Sequence, residues 1–109
     1  MGEQKMIKLS FDDFFSLLNI INEVCHGINV RNFKETIGDE RKTVVDFLDK
    51  ISNKDQNNEI IICVSDFEQQ FLKKSFERVL REIEEWEFQT RIGVDRSEAR
   101  AIMEKIVKA

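Results

Sequence analysis

Cys25 and His26 are a thiol and an imidazole side by side in the chain. Together they are the components of a cysteine nucleophile, which needs its base within hydrogen-bond reach. Adjacent residues on a helix point about 100 degrees apart, so these two side chains do not face each other there. His26 is also the only histidine, which leaves no His-based metal site and no Ser-His-Asp triad. The glycines stand at 2, 27, 38 and 93, too scattered to cradle a phosphate. The second cysteine, Cys63, lies inside Ile60-Ile61-Ile62-Cys63-Val64, and Cys25 falls in an apolar helical stripe. Both are expected to be small buried hydrophobes, and two cysteines build no disulfide framework. These residues point away from an enzyme and call for no cofactor and no metal.

A second constellation suits recognition. Glu82-Ile83-Glu84-Glu85-Trp86-Glu87 gathers four carboxylates around the only tryptophan. An aromatic anchor ringed by acids fits a basic protein partner, so Glu82, Glu84, Glu85, Trp86 and Glu87 are the candidate partner-binding residues. The helical phase of Trp86 after Ile83 also suits burial in the core, and a run of glutamates also suits a plain solvated helix face.

The composition sets the frame for both. The 109 residues leave room for one ordinary domain, and 35% charged with 41% hydrophobic residues is a globular balance. No proline, four glycines and nine phenylalanines favour helices over an aromatic core. Seventeen Lys+Arg against twenty-one Asp+Glu give a net charge of -4, which argues against a nucleic-acid partner. The longest apolar run, Ile60 to Val64, is too short to span a bilayer, and Met1 to Lys8 has no secretory pattern. A cytoplasmic chain without a membrane partner is expected.

The elements that must position these residues are announced by an internal repeat. Phe33 to Ile51 laid on Phe88 to Ile106 gives six identities in nineteen ungapped positions, where about one is expected by chance. They include Phe33/Phe88, Ile37/Ile92, Gly38/Gly93 and Arg41/Arg96. The same offset of 55 runs backwards through Val24/Val79 and Leu17/Leu72 to Ile7/Ile62. Two copies, 6–51 and 61–106, are thus joined by a polar linker, 52–58.

Each copy reads alike. A short β-branched run ends at a serine, and Ser65 with Glu68 fits a capping box, Ser10 with Asp13 a weaker one. Apolar residues at 11, 14, 18, 21, 25 and 28, and at 72, 76, 79, 83 and 86, follow the helical period. His26-Gly27 breaks the first of these helices, while the second copy runs straighter. A short helical turn then leads to Ile-Gly, and a last helix starts near Asp39 or Asp95. Asp95 with Glu98 makes a third capping box. A unit of about 50 residues is too small to stand alone and two are too few for a solenoid. The expected fold is therefore mainly α, α+β at most, with two β-α-α-type repeats packed about a pseudo-twofold axis as a single domain over 1–109. Two strands alone are weak, so an all-α bundle is the alternative.

Ile92-Gly93-Val94, followed by Ala99 and Ile102, resembles the turn and core of a helix-turn-helix. Ile37-Gly38, Val44 and Phe47 fill the same places in the first copy, with Asp39 where the motif has an apolar residue. Lys34 and Gln89 stand where it wants a small one. The resemblance implies DNA reading by helices that open Asp39-Glu40-Arg41-Lys42 and Asp95-Arg96-Ser97-Glu98, which bring acids to the groove as well as bases. The plainer reading is an αα-corner held by Phe, Ile and Gly, with Arg41 and Arg96 tying each last helix to carboxylates.

Where the copies differ, function is expected. Trp86 aligns with Arg31, and Phe11, Phe14 and Phe15 face Asp66, Gln69 and Gln70 across the offset. The three phenylalanines suit either extra core or an exposed patch. Residues 55–109 carry a net -3 against -1 for 1–54, so an acidic face is expected on the second half. Small acidic cytosolic chains of this kind resemble, in composition alone, bacterial immunity or antitoxin proteins that cover a basic, nuclease-like toxin. The leading expectation is such a non-enzymatic module, monomer or homodimer. A helix-turn-helix-like regulator and a homo-oligomeric structural subunit are the alternatives.

Overall fold

The computed structural model describes residues 4–53 and 59–109. The chain runs β1 (Lys5–Ser10), α1 (Phe11–Asn22), a π-helical turn (Glu23–Gly27), α2 (Phe33–Ile37), α3 (Arg41–Ser52), β2 (Glu59–Val64), α4 (Asp66–Glu82), α5 (Glu85–Ile92) and α6 (Arg96–Val107). The two strands pair, so the all-α alternative is set aside. Of the expected linker, Ser52 closes α3 and Asn53 caps it, while 54–58 lie outside the described residues.

β1 and β2 are antiparallel, from Lys5 opposite Val64 to Ser10 opposite Glu59, with Ile7 opposite Ile62 between them. Strand alternation turns Ile7, Leu9, Ile60, Ile62 and Val64 into the core. It leaves Met6 and Ile61 exposed on the other face. Cys63 is half-buried there and not a core residue, because its apolar run serves a sheet that is covered on one side only.

Serines start the long helices. Ser10 Oγ accepts from the Asp13 N–H at 3.1 Å, with Asp12 and Asp13 favouring the positive end of α1. Ser65 Oγ accepts from the Glu68 N–H, and Glu68 Oε1 accepts from the Ser65 N–H at 2.8 Å, which completes the capping box. Asp95 caps α6 through the Glu98 N–H, whereas α3 opens after Glu40 without a side-chain cap.

The buried face of α1 and its π turn runs through Phe14, Leu17, Ile20, Ile21, Val24 and Cys25. Phe11 is exposed and Leu18 and Ile28 are only half-buried, so the face is turned from the expected stripe. Both stripes obey the helical period; docking against the sheet and α4 chooses between them. In α4, Leu72, Phe76 and Val79 are buried as expected, followed by Ile83. The helix ends at Gly27 as expected, with Ile28 extended, and its last turn widens before it stops. Ile28 donates to Glu23 O, five residues back, at 2.7 Å. α4, without that glycine, continues for 17 residues.

α2 and α5 each stop at a glycine in the left-handed region, Gly38 at φ 105 and Gly93 at φ 101. α1 packs on α4 at the centre, α2 lies on α4, and α5 lies on α1. A single hydrophobic cluster, from Ile7 to Ile106, draws on every one of these elements.

Candidate protein-binding surface

The cysteine and histidine do not assemble. Cys25 is 1% exposed, and burial pushes its thiol up to about 11, with Arg41 pulling it down in part and Asp49 adding to the rise. His26 is exposed on the π turn. Among the described residues no group of three or more His, Cys, Asp or Glu is placed to hold a metal ion.

The acidic segment is shaped by the break between α4 and α5. Ile83 is buried and extended, with ψ 128, and its N–H closes α4 by donating to Val79 O. Glu84 then serves as the N-cap position of α5 without a side-chain bond. A new helix begins at Glu85, and its inner face is set by Phe88 and Ile92. Trp86 consequently stands 77% exposed. The helical phase that would bury it is lost because no continuous helix joins Ile83 to Trp86. Glu84 and Glu85 are exposed and have no ion-pair partner among the described residues. Glu82 pairs with Arg78 at 3.2 Å and Glu87 with Arg91 at 3.3 Å, so these two are partly neutralised. The structure thus brings Glu84, Glu85 and Trp86 together as an open acidic-aromatic tip, flanked by the two paired glutamates.

A clasp holds that tip in place. Arg91 donates through Nε to Glu23 Oε2 at 3.1 Å and through Nη2 to Glu23 Oε1. The Glu23 bonds, opposed in part by burial, hold the guanidinium pKa above its ordinary value. Asn19 Nδ2 donates to Ile92 O at 2.8 Å, fastening the other end of α5 to α1. Sequence reasoning missed Glu23, Arg91 and Asn19. The one available signal was that Glu23 aligns with Arg78 and Arg91 with Thr36, so this pair between the copies has no oppositely charged counterpart across the offset.

No protein-family model, curated protein or solved structure matches this chain.

The two Ile-Gly corners are tied inward. Arg96 donates to Ile83 O and lies over the Phe88 ring at 5.5 Å; Arg41 donates to Cys25 O at 2.8 Å and lies over Phe33 at 4.8 Å. The partners of both arginines are main-chain carbonyls and aromatic rings, not the expected carboxylates, because each last helix begins beside the end of a long one, where carbonyls lack helical partners. The charge of the second half is also uneven. Lys74, Arg78 and Arg81 of α4 line a cleft of about 340 Å³ with Glu35, Thr36 and Glu77. The acidic excess is therefore not spread evenly over that half, and Glu84 and Glu85 are among its exposed carboxylates without an ion-pair partner among the described residues. No helix among the described residues is long and apolar enough to cross a membrane.

Proposed function

We propose that this chain is a duplicated helical module that binds a basic protein through Glu82, Glu84, Glu85, Trp86 and Glu87, as an immunity or antitoxin protein masks a nuclease-like toxin. Duplication is supported by the spacing of the elements: α3 and α6 start and stop 55 residues apart, as do the two left-handed glycines. It is supported again by the sheet. Ile7 faces Ile62, its own counterpart, and the shift of 55 exchanges the pair Lys5–Val64 with the pair Leu9–Ile60, as a twofold axis through the central pair requires.

The observation that carries the binding reading is the exposure of Trp86. The first copy has Arg31 at the matching position, so this fold does not require an aromatic there. An indole that gains burial only when a partner covers it supplies affinity, and free carboxylates around it raise the rate of encounter with a positive surface. The DNA reading has less behind it, since the guanidinium groups of Arg41 and Arg96 are engaged within the fold. Exposed Phe11, Phe15 and Phe67 favour a homo-oligomer as the second reading, which light scattering on the purified chain separates from a monomer.

The test compares the wild-type chain with Glu82→Lys/Glu84→Lys/Glu85→Lys against the protein that co-purifies with it. That protein is expected to be basic, and the variant should associate at least about tenfold more slowly at low salt, with its circular dichroism unchanged. Unchanged on-rates would remove this surface from consideration.

A further inference from the structure

We infer that the cleft between the start of α1 and the α5–α6 turn is a second contact on the same surface, and that it takes an arginine or lysine side chain of a basic protein partner. The inference rests on the protein-binding reading above and extends it to a new place. The cleft holds about 520 Å³, and Phe11, Asp12, Phe15, Gly93, Val94 and Glu98 form most of its wall.

Phe11 and Phe15 are 39% and 51% exposed, and their rings stack with centroids 6.3 Å apart. The core does not use them; Phe14, between them in sequence, is fully buried. The other copy has Asp66 and Gln70 at the matching positions, so the fold does not demand aromatics there. Asp12 and Glu98 are exposed without an ion-pair partner among the described residues, while Asp13 is already held by Lys105 at 3.3 Å.

The occupant follows from charge complementarity. A guanidinium lies flat on an aromatic face, directs its N–H edges to carboxylates at the rim, and covers apolar surface with its methylenes. An aliphatic side chain would cover the rings and leave Asp12 and Glu98 desolvated without a partner. An acidic segment would be repelled by both.

The cleft also lies within reach of Trp86. Trp86 stands in the first turn of α5 and Gly93 ends that helix, about 10 Å away along its axis. Gln89 and Thr90 between them are exposed. One protein footprint of about 800 Å² spans such a distance.

The test is a titration of the ¹⁵N-labelled full chain with two synthetic peptides, one carrying two arginines and one with uncharged citrulline in their place. The arginine peptide should shift the amides of Phe11, Asp12, Phe15, Val94 and Glu98, and bind at least about threefold more tightly than the citrulline peptide. Phe15→Ser and Glu98→Gln, both at exposed positions, should each reduce the arginine peptide to the citrulline level. Equal shifts from both peptides would overturn the cation assignment. Shifts confined to Glu84, Glu85 and Trp86 would overturn this contact and leave the protein-binding reading standing. Shifts at Phe11 and Phe15 that grow with protein concentration, without peptide, would assign the patch to a second copy of the chain and overturn the inference as well.

Discussion

Gly27 shows how a single hydrogen atom in place of a side chain supports the surface. A Cβ at this position would collide with the Glu23 carboxylate, whose two oxygens are held by Arg91. Gly27→Ala is therefore expected to pull Glu23 off α5 and destabilise the fold by about 1–2 kcal/mol, the scale of a partly buried charge-assisted bond. In a Glu23→Ala background the same change should be neutral or stabilising by up to about 1 kcal/mol, since alanine restricts the unfolded chain more than glycine. Urea unfolding of the four variants checks this; an equal effect in both backgrounds would mean the collision is not what matters. Cys25 makes a second prediction at this scale. Its thiol is raised from 9.0 to about 11 in the folded chain, so the unfolded state releases this proton first. The neutral thiol's contribution to stability is complete below pH 9 and is lost as pH climbs toward about 11. Unfolding midpoints should fall over that window, and less steeply in Cys25→Ala. At pH 8, alkylation with iodoacetamide should modify half-buried Cys63 well before Cys25.

Among the elements, the two long helices differ in how firmly they are started. Ser65 and Glu68 satisfy each other's backbone donors, whereas Ser10 satisfies one donor and receives no bond in return. Ser65→Ala should cost about 1–2 kcal/mol and Ser10→Ala about half as much, measured by thermal or urea unfolding. The helices themselves were legible: serine caps, steps of three and four, and glycine stops are local signals carried by neighbouring residues. The break after Glu82 was not. Ile83 and Trp86 satisfy the helical period on paper, and only the extended Ile83, fixed by its burial, starts a new helix with a new phase. The tip of α5 owes its exposed tryptophan to that one residue.

For the whole molecule, the interleaving of the short helices matters most. α2 lies on α4 and α5 lies on α1, so each half covers a core surface that belongs to the other. Fragments 1–53 and 59–109 should each be unfolded alone by circular dichroism, because neither can bury its long helix. The intact chain should unfold in one transition when followed by fluorescence and by circular dichroism. A fragment that melts cooperatively would show instead that a half keeps its own interior. Gln69 ties the assembly together in the same long-range manner. It is buried where the other copy has Phe14, donates to Ile106 O at 2.8 Å and accepts from Lys5 Nζ at 3.0 Å.

The amino-acid order by itself determined the serine-capped starts of α1 and α4, the glycine stops of α2 and α5, the repeat offset of 55, and the acidic stretch around Trp86. These follow from capping, backbone freedom and periodicity, which act over a few residues. Tertiary structure alone decided which of two equally periodic faces α1 buries, that Trp86 is exposed, that Glu23 and Arg91 meet, and that Phe11 and Phe15 border a cleft with Glu98. The face of α1 is set by its docking on the sheet and α4, the exposure of Trp86 by the break at buried Ile83, and the Glu23–Arg91 contact by how α5 docks along α1 across some seventy residues of chain; no local spacing encodes those contacts.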